Sequence, residues 1–487
     1  MDRKPTKLII TDVEKAFDQA WRVGVFKNLM DRGIKGEILE LIWKITTNAT
    51  SRIKENSIVH SSEFIVEESV RQGGGLSAIL YGQHVSSVVE DLESQKMGPT
   101  IGRIQVPAVA WQDDLTLFPD GKDEEEKMIG HFEKSTDKNR ITLAIEKKTK
   151  SLTVGKEDLE VTTIKGKLVK ETNNAMILGY NFNNKGNPES HLEQKETETI
   201  SMMANMGLSI SENNMDRVYL NSLLVIYRKC FVQKLLYGLA GVALNNEQYE
   251  KVETIDRKVI RNFLNLPSST PKSSLYNELG IIPIRFILWK RKLSMWWRLN
   301  QQNTNTLLKN CKNQQINRGM PWVLGIAKIA AKLGIDLGKA KETSKEGWKN
   351  QVKKKITLEA KTYIIKEMEA AEKYKNNAGD EVVIGKKKRY TNLTQKKAKI
   401  WFRMRAGIID PSPRKPYHPT CKWKCKLCPA MDQGTEHYIR YCPGTAEIFD
   451  GCNRGDVYQF IQDIDGNDDY LYKVTNILEK IYNLINK

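Results

Sequence analysis

Apolar residues recur along this chain with two periods, and the switching between them divides it into parts. Lys7-Leu-Ile-Ile-Thr-Asp-Val13 reads as a short buried strand, and from Lys15 to Met30 apolar positions return at helical spacing. A second helix is predicted over Gly36 to Thr46. Ser51 to Ser69 then alternates apolar and polar residues about polar turns, as a hairpin does. Arg71-Gln-Gly-Gly-Gly75 leads into a helical stretch from Leu76 to Glu93. Gly102 to Phe118 reads as two strands meeting at Gln112-Asp-Asp114, Lys122 to Asn139 is helical again, and short strands continue to Phe182. Strands mixed with helices in this way predict an α/β organisation.

Beyond a Gly/Asn/Pro-rich turn, Asn183 to Pro188, the period is helical throughout. Amphipathic segments over His191 to Asn213, Asp216 to Gly238 and Asn246 to Leu264 predict a helical domain. Pro267 to Lys272 interrupts it, and Ile284 to Gln301 resumes with Trp289, Trp296 and Trp297 at a spacing typical of core. Asn303 to Thr394 is Lys/Asn-rich, with helices expected near Val323 to Leu333 and Lys345 to Lys373. The run Gly385-Lys-Lys-Lys-Arg389 precedes a helix from Thr391 to Ala406, and Pro411 to Pro419 leads into a cysteine cluster.

Composition narrows the class. With 487 residues, 40% of them hydrophobic, the chain can bury ordinary cores in two to four domains. Its net charge of +18 calls for a polyanionic partner, nucleic acid before anionic membrane. No apolar run reaches the roughly 18 residues of a membrane span and no signal peptide follows Met1, so the expectation is a soluble intracellular protein. Seven cysteines are too few for a disulfide scaffold in so long a chain. Cys230 and Cys311 stand alone, whereas Cys421, Cys425, Cys428, Cys442 and Cys452 gather near His437, which points to metal.

Two sets of residues carry candidate chemistry. Asp113 and Asp114 sit at a tight turn between apolar strands, and Asp12 ends a strand that could lie beside them. Carboxylates about 4 Å apart repel by roughly 4 kcal/mol at an effective dielectric near 20, so gathering them requires a counter-cation. Two magnesium ions would supply it, and such a pair can activate an oxygen nucleophile and stabilise charge on a leaving group. Taken alone, an Asp-Asp pair is a polar turn and a glycine run a flexible one. The second set, Cys425, Cys428, His437 and Cys442, has the spacing C-x2-C-x8-H-x4-C, four ligands of the kind structural zinc prefers, in a small module without a core of its own. Cys421 competes as a ligand, and Cys452 is expected to be free. Around it Lys422, Trp423, Lys424, Lys426 and Arg440 could hold phosphates and stack a base, with Lys386, Lys387, Lys388 and Arg389 adding to that footing. A charge run is otherwise a solvated face.

Order decides how the acids are read. Thr11-Asp-Val-Glu-Lys-Ala-Phe-Asp18, Arg71-Gln-Gly-Gly-Gly-Leu-Ser77 and Trp111-Gln-Asp-Asp114 resemble, in that sequence, the A, B and C motifs of the reverse transcriptases of non-LTR (LINE-type) retrotransposons. Lys147-Lys-Thr149 resembles motif D, and Ile177-Leu-Gly-Tyr180 motif E. Leu235-Leu-Tyr-Gly238, Leu264-Asn-Leu-Pro267 and Glu278-Leu-Gly-Ile-Ile-Pro283 resemble the thumb and the linker beyond it, and Thr435-Glu-His437 with Cys442-Pro443 the terminal knuckle.

The resemblance implies an RNA-directed DNA polymerase in which Asp12, Asp113 and Asp114 hold two magnesium ions. Val13, Phe17, Arg71, Gln72, Gly73 and Lys148 would contact the incoming deoxynucleotide, Phe17 as the gate against a 2′-hydroxyl. It implies a palm with an antiparallel sheet over 1–182, a helical thumb over 183–302, a basic helical linker over 303–410, and a zinc knuckle with a C-terminal helix over 411–487. RNA template, DNA primer or target and deoxynucleotides would be the partners, in nucleus and cytoplasm. Trp111 and Gln112 depart from the family's Phe or Tyr followed by Ala, and the chain starts almost at motif A, so a partial or decayed element without fingers or endonuclease is expected. The competing reading is a non-catalytic nucleic-acid-binding remnant.

Overall fold

The computed structural model describes the chain except residues 1–4, 48–49, 56–57, 60, 67, 72, 156–160, 207–217, 302, 372–380, 386–389, 391–392, 409–424, 431–433, 450, 463–467 and 486–487. Two compact units emerge, one of residues 1–191 with 305–318 and one of 192–304 with 319–487.

In the first unit, β1 (Thr6–Thr11) is followed by α1 (Arg22–Asp31), α2 (Gly36–Thr47) and two minimal antiparallel pairs, β2 (Thr50–Ser51) with β5 (Phe64–Ile65) and β3 (Lys54–Glu55) with β4 (Ile58–Val59). Then come α3 (Ser77–Ser94), the pair β6 (Thr100–Ile101) and β7 (Ile104–Gln105), β8 (Ala108–Trp111), β9 (Asp114–Leu117) and α4 (Lys122–Lys138). Strands β10 (Lys150–Val154), β11 (Thr162–Ile164), β12 (Lys167–Glu171), β13 (Asn174–Ile177) and β14 (Tyr180–Asn183) complete it. Six strands form one sheet in the order β11-β12-β10-β1-β9-β8. Its pairs are antiparallel except β10 with β12, which run parallel, so the sheet is mixed. Ile9, Leu115 and Leu117 meet Leu80, Val85, Val88, Met128 and Phe132 of α3 and α4 in one core. His84 ties these helices together: its Nδ1 lies 3.2 Å from Asn28 and its Nε2 3.0 Å from the Asn139 carbonyl.

Two elements depart from the sequence expectation. Residues 14–19 are turns and not the start of a helix, because their backbone is engaged elsewhere. Glu14 N–H donates to Thr142 O at 2.8 Å, and Phe17 O accepts from Val70 N–H at 2.9 Å. The second is α11 (Thr306–Asn317), which lacks a clear apolar period and yet belongs to the sheet unit, where Asn310 donates to Ile101 O at 3.3 Å.

The second unit is helical. It contains α5 (Glu189–Asn205) from Leu192 onward, α6 (Leu220–Ile226), a π-helical turn Tyr227–Phe231, α7 (Val232–Leu235), α8 (Asn246–Phe263), α9 (Lys272–Leu279) and α10 (Ile284–Leu299). After α11 come α12 (Pro321–Leu333), α13 (Lys345–Glu369), α14 (Gln395–Arg405), α15 (Arg454–Gln462) and α16 (Asp468–Ile485). Asn245 and Gln248 form a capping box at the start of α8. Buried Arg405 of α14 binds Glu278 of α9 at 2.8 Å and the Gln462 carbonyl at 3.0 Å, fastening distant segments by one guanidinium. Trp296 and Trp297 are structural, donating to the Leu337 and Thr343 carbonyls at 3.3 and 2.9 Å. No described helix is long and apolar enough to cross a membrane.

Candidate active site and metal centre

Strands β1 and β9 set Thr11 opposite Leu115, and Asp12, which follows Thr11, and Asp114, which precedes Leu115, come at that end of the sheet. Strands β8 and β9 pair Trp111 with Asp114, which leaves Gln112 and Asp113 as a two-residue turn. Such turns need positive φ, and Gln112 takes it at +57°, which costs a residue with a Cβ about 1–2 kcal/mol. Neighbouring loops are bonded to this sheet end. The Asp12 carbonyl accepts from Ala144 N–H at 2.9 Å, and the Val70 bond to Phe17 attaches the glycine loop.

The electrostatics follow. Burial, then the charges of Asp113 and Asp12, raise the Asp114 carboxyl above its ordinary range. Lys148 Nζ donates to Asp12 Oδ2 at 2.9 Å, and that bond with the pull of all three acids raises the lysine. Tyr81 of α3, which is not among the residues expected from the sequence, has its ring 5.0 Å from that of Phe17. Burial, Asp113 and then Asp12 push its phenol well above the usual range, and its hydroxyl has no partner among the described residues. Hard oxygen ligands on adjacent strands, a carboxyl raised by its neighbours and an orphaned buried donor beside them fit magnesium and its water. The acids do not close into a compact ligand cluster, and the Lys148 ammonium is the cation beside them.

At the other end of the chain such a cluster does form. The ligand atoms of Cys425, Cys428, His437 and Cys442 all lie within 4.8 Å of one another. The Cys425 and Cys442 sulfurs are 3.6 Å apart and Cys428 Sγ is 3.3 Å from His437 Nε2. Zinc bonds of about 2.3 Å to sulfur and about 2.0 Å to nitrogen at tetrahedral angles require edges of about 3.8 and 3.5 Å. The donor set fits zinc, with His437 ligating through Nε2. A π-helical turn, His437–Tyr441, carries the histidine, and Arg454 donates to the Ile439 and Cys442 carbonyls at 2.6 and 2.8 Å. The cluster has no separate core: Cys425, Tyr438, Ile439, Cys442 and Phe449 join the core of the helical unit with Phe402, Met404 and Leu478.

Residues 2–182 match the family described as reverse transcriptase (RNA-dependent DNA polymerase). This stretch is a reverse transcriptase domain. A curated relative, the retrovirus-related Pol polyprotein from type-1 retrotransposable element R2 of Popillia japonica, is 28% identical over 119 residues. That alignment covers 24% of this chain and 17% of the relative, so the chain spans under a fifth of that polyprotein. A solved structure, telomerase from Candida albicans in complex with the TWJ fragment of telomeric RNA, aligns with 54% of this chain and 47% of its own at 13% identity and a TM-score of 0.27.

Within the reverse transcriptase domain the expected contact residues fall out unevenly. Asp12, Asp113, Asp114, Phe17 and Lys148 share the sheet end. Val13 is 7% exposed and packs in the core, which leaves only its backbone for a ligand. Arg71 is exposed on the glycine loop, where Gly73 has φ +82°. A Cβ on Gly74 would stand 2.5 Å from Ser77 Oγ and 3.2 Å from Arg71 O, so the turn excludes side chains there. Gln72 lies outside the described residues, as do Lys386, Lys387, Lys388, Arg389, Cys421, Lys422, Trp423 and Lys424. Lys426 is described, and its ammonium donates to the Ile485 carbonyl at 3.2 Å.

Proposed function

We propose that this chain is the polymerase portion of a non-LTR retrotransposon reverse transcriptase, copying RNA into DNA with two magnesium ions. One observation carries the reading: in a stretch that matches the reverse transcriptase family, the Thr11–Leu115 pair brings the neighbouring Asp12 and Asp114 to the sheet end that holds the Asp113 turn. The three carboxylates would hold the metal. When bound, paired ions about 3.5–4 Å apart activate the primer 3′-hydroxyl and stabilise charge on the leaving pyrophosphate. Phe17, braced by Tyr81, would form the wall that a 2′-hydroxyl meets. Gly73 and Gly74 would let backbone approach the nucleotide. Lys148, exposed and already at the acids, would lie beside the triphosphate.

In this reading residues 1–182 are the palm, 183–302 the thumb, 303–410 a basic linker and 411–487 a zinc knuckle with its following helices. RNA template, DNA primer or target and deoxynucleotides are the partners, and nucleus and cytoplasm the compartments. A second reading, a nucleic-acid-binding remnant without catalysis, is favoured by the hold of Lys148 on Asp12. The test is primer extension on RNA with magnesium and deoxynucleotides. Extension abolished by Asp113→Asn with Asp114→Asn supports the polymerase; no extension by the unaltered chain, with salt-steep binding retained, supports the remnant.

A further inference from the structure

The helical unit contains an open cavity of about 350 Å³ that no part of the polymerase reading uses. Its floor is apolar: Val232, Ile281, Phe286, Ile287, Ile356 and Ile384 line it, with Tyr227 at one wall. Arg228, Gln233 and Lys290 stand among these residues. The wall carrying Tyr227 and Arg228 is the π-helical turn Tyr227–Phe231, a costly widening of the helix that recurs at ligand sites. Gln233 is held by its neighbours, accepting from Arg291 at 2.6 Å and donating to the Arg228 carbonyl at 3.1 Å.

The rim is cationic without compensation. Lys349 and Lys353 lie seven and three residues before Ile356 on α13, hence on the same helix face. Lys290 lines the cavity itself, and burial, then the charges of Lys349 and Lys353, lower its pKa. Among the described residues none of Arg228, Lys290, Lys349 and Lys353 forms an ion pair. Gathering like charges beside an apolar cavity destabilises the chain unless an anion with an apolar part occupies it. A nucleic-acid strand with an unstacked base has that composition, and 350 Å³ accommodates a base or two.

We propose that this cavity is a single-strand RNA site, in which unstacked bases enter the apolar cleft between the π-helical turn, α10 and α13 while Lys290, Lys349 and Lys353 bind the flanking phosphates. The choice of ligand rests on reading the chain as a nucleic-acid enzyme, but the site itself needs no catalysis.

The test is binding by the full chain, without added magnesium, of a labelled single-stranded RNA, its abasic backbone, its duplex and anionic phosphatidylserine vesicles. Single-stranded RNA should bind at least tenfold more tightly than the abasic strand. Lys290→Gln with Lys349→Gln and Lys353→Gln should weaken it about tenfold or more and make the salt slope shallower by about 0.7 per lost phosphate contact. The triple Lys→Arg variant should restore binding. Gln233→Trp, an exposed position that fills the cleft without changing charge, should weaken RNA but not the abasic strand. Equal affinity for abasic and normal strands, an unchanged triple Lys→Gln variant, or vesicle binding lost in that variant while RNA binding persists overturns the proposal. The two readings fail separately: an unaltered chain that extends no primer yet binds this RNA with these preferences keeps the site without the polymerase, and one that extends a primer but binds abasic and normal strands equally keeps the polymerase without the site.

Discussion

At Cys425, Cys428, His437 and Cys442 four ligand atoms already stand within 4.8 Å and near tetrahedral edges, whereas at Asp12, Asp113 and Asp114 the acids share a sheet end without closing on one point. The difference lies in what surrounds each set. The cysteine cluster is embedded in the helical unit's core and latched by Arg454, so its geometry belongs to the fold. The acids stand at a half-open edge, where their repulsion is met by an exposed lysine that can leave. In the proposed reading, thiolates and imidazole would be assembled for a resident ion and carboxylates kept open for ions that arrive with substrate.

The comparison can be broken at either end. The largest effect is expected from Asp113→Asn with Asp114→Asn, which should cut primer extension by about a thousandfold or more while leaving thermal stability equal or slightly higher, since like-charge repulsion is removed. A full-strength extension signal would mean that these acids hold no catalytic metal. Next, stripping zinc with a chelator, or Cys442→Ser, should lower the melting temperature on the order of 5–10 °C and expose residues 425–449 to protease. Because the cluster shares the core of α14 and α16, the helices should persist. Loss of the whole unit would restore the picture of a module folded only by its metal.

Acid sharpens the contrast. Thiols and histidine have ordinary pKa values of about 8.5 and 6.5, against about 3.9 for aspartate. Protons compete with metal for each ligand, so falling pH should release zinc first while the carboxylates still bind manganese, measured by zinc-dye release and manganese paramagnetic resonance. The reverse order would contradict the ligand assignment. The smallest effect belongs to Lys148→Met. With the ammonium gone, manganese should bind the acids a few-fold more tightly, the scale of an exposed ion pair. Weaker binding would show that Lys148 organises the acids instead of competing for them.

Much of this was legible in the chain. The apolar runs flanking Gln112-Asp-Asp114 give two strands and a turn because alternation and turn chemistry are local, and β8 and β9 lie where they point. The C-x2-C-x8-H-x4-C spacing names its ligands because few other constraints set cysteines and a histidine so close together. Helices α3, α4, α8 and α10 follow their apolar periods. The failures have one kind of cause. Helical periodicity over 15–20 yields to hydrogen bonds with Val70 and Thr142, the polar α11 is recruited to the sheet unit, and α6 and α7 are parted by a π-helical turn. Tyr81 becomes a site residue only because Phe17 and the acids pack over it.

The sequence by itself determined the chemical types: hard oxygen donors at a strand turn, soft donors at zinc spacing, a glycine loop and an excess of positive charge. Those depend on residues near one another in the chain, and near neighbours constrain each other through backbone geometry alone. Only the tertiary structure decided that Lys148 answers Asp12 across 136 positions, that the cysteine cluster shares a larger core, and that Arg228 and Lys290 border an apolar cleft. Such pairings are fixed by the burial of surfaces from distant segments, and no local period records them.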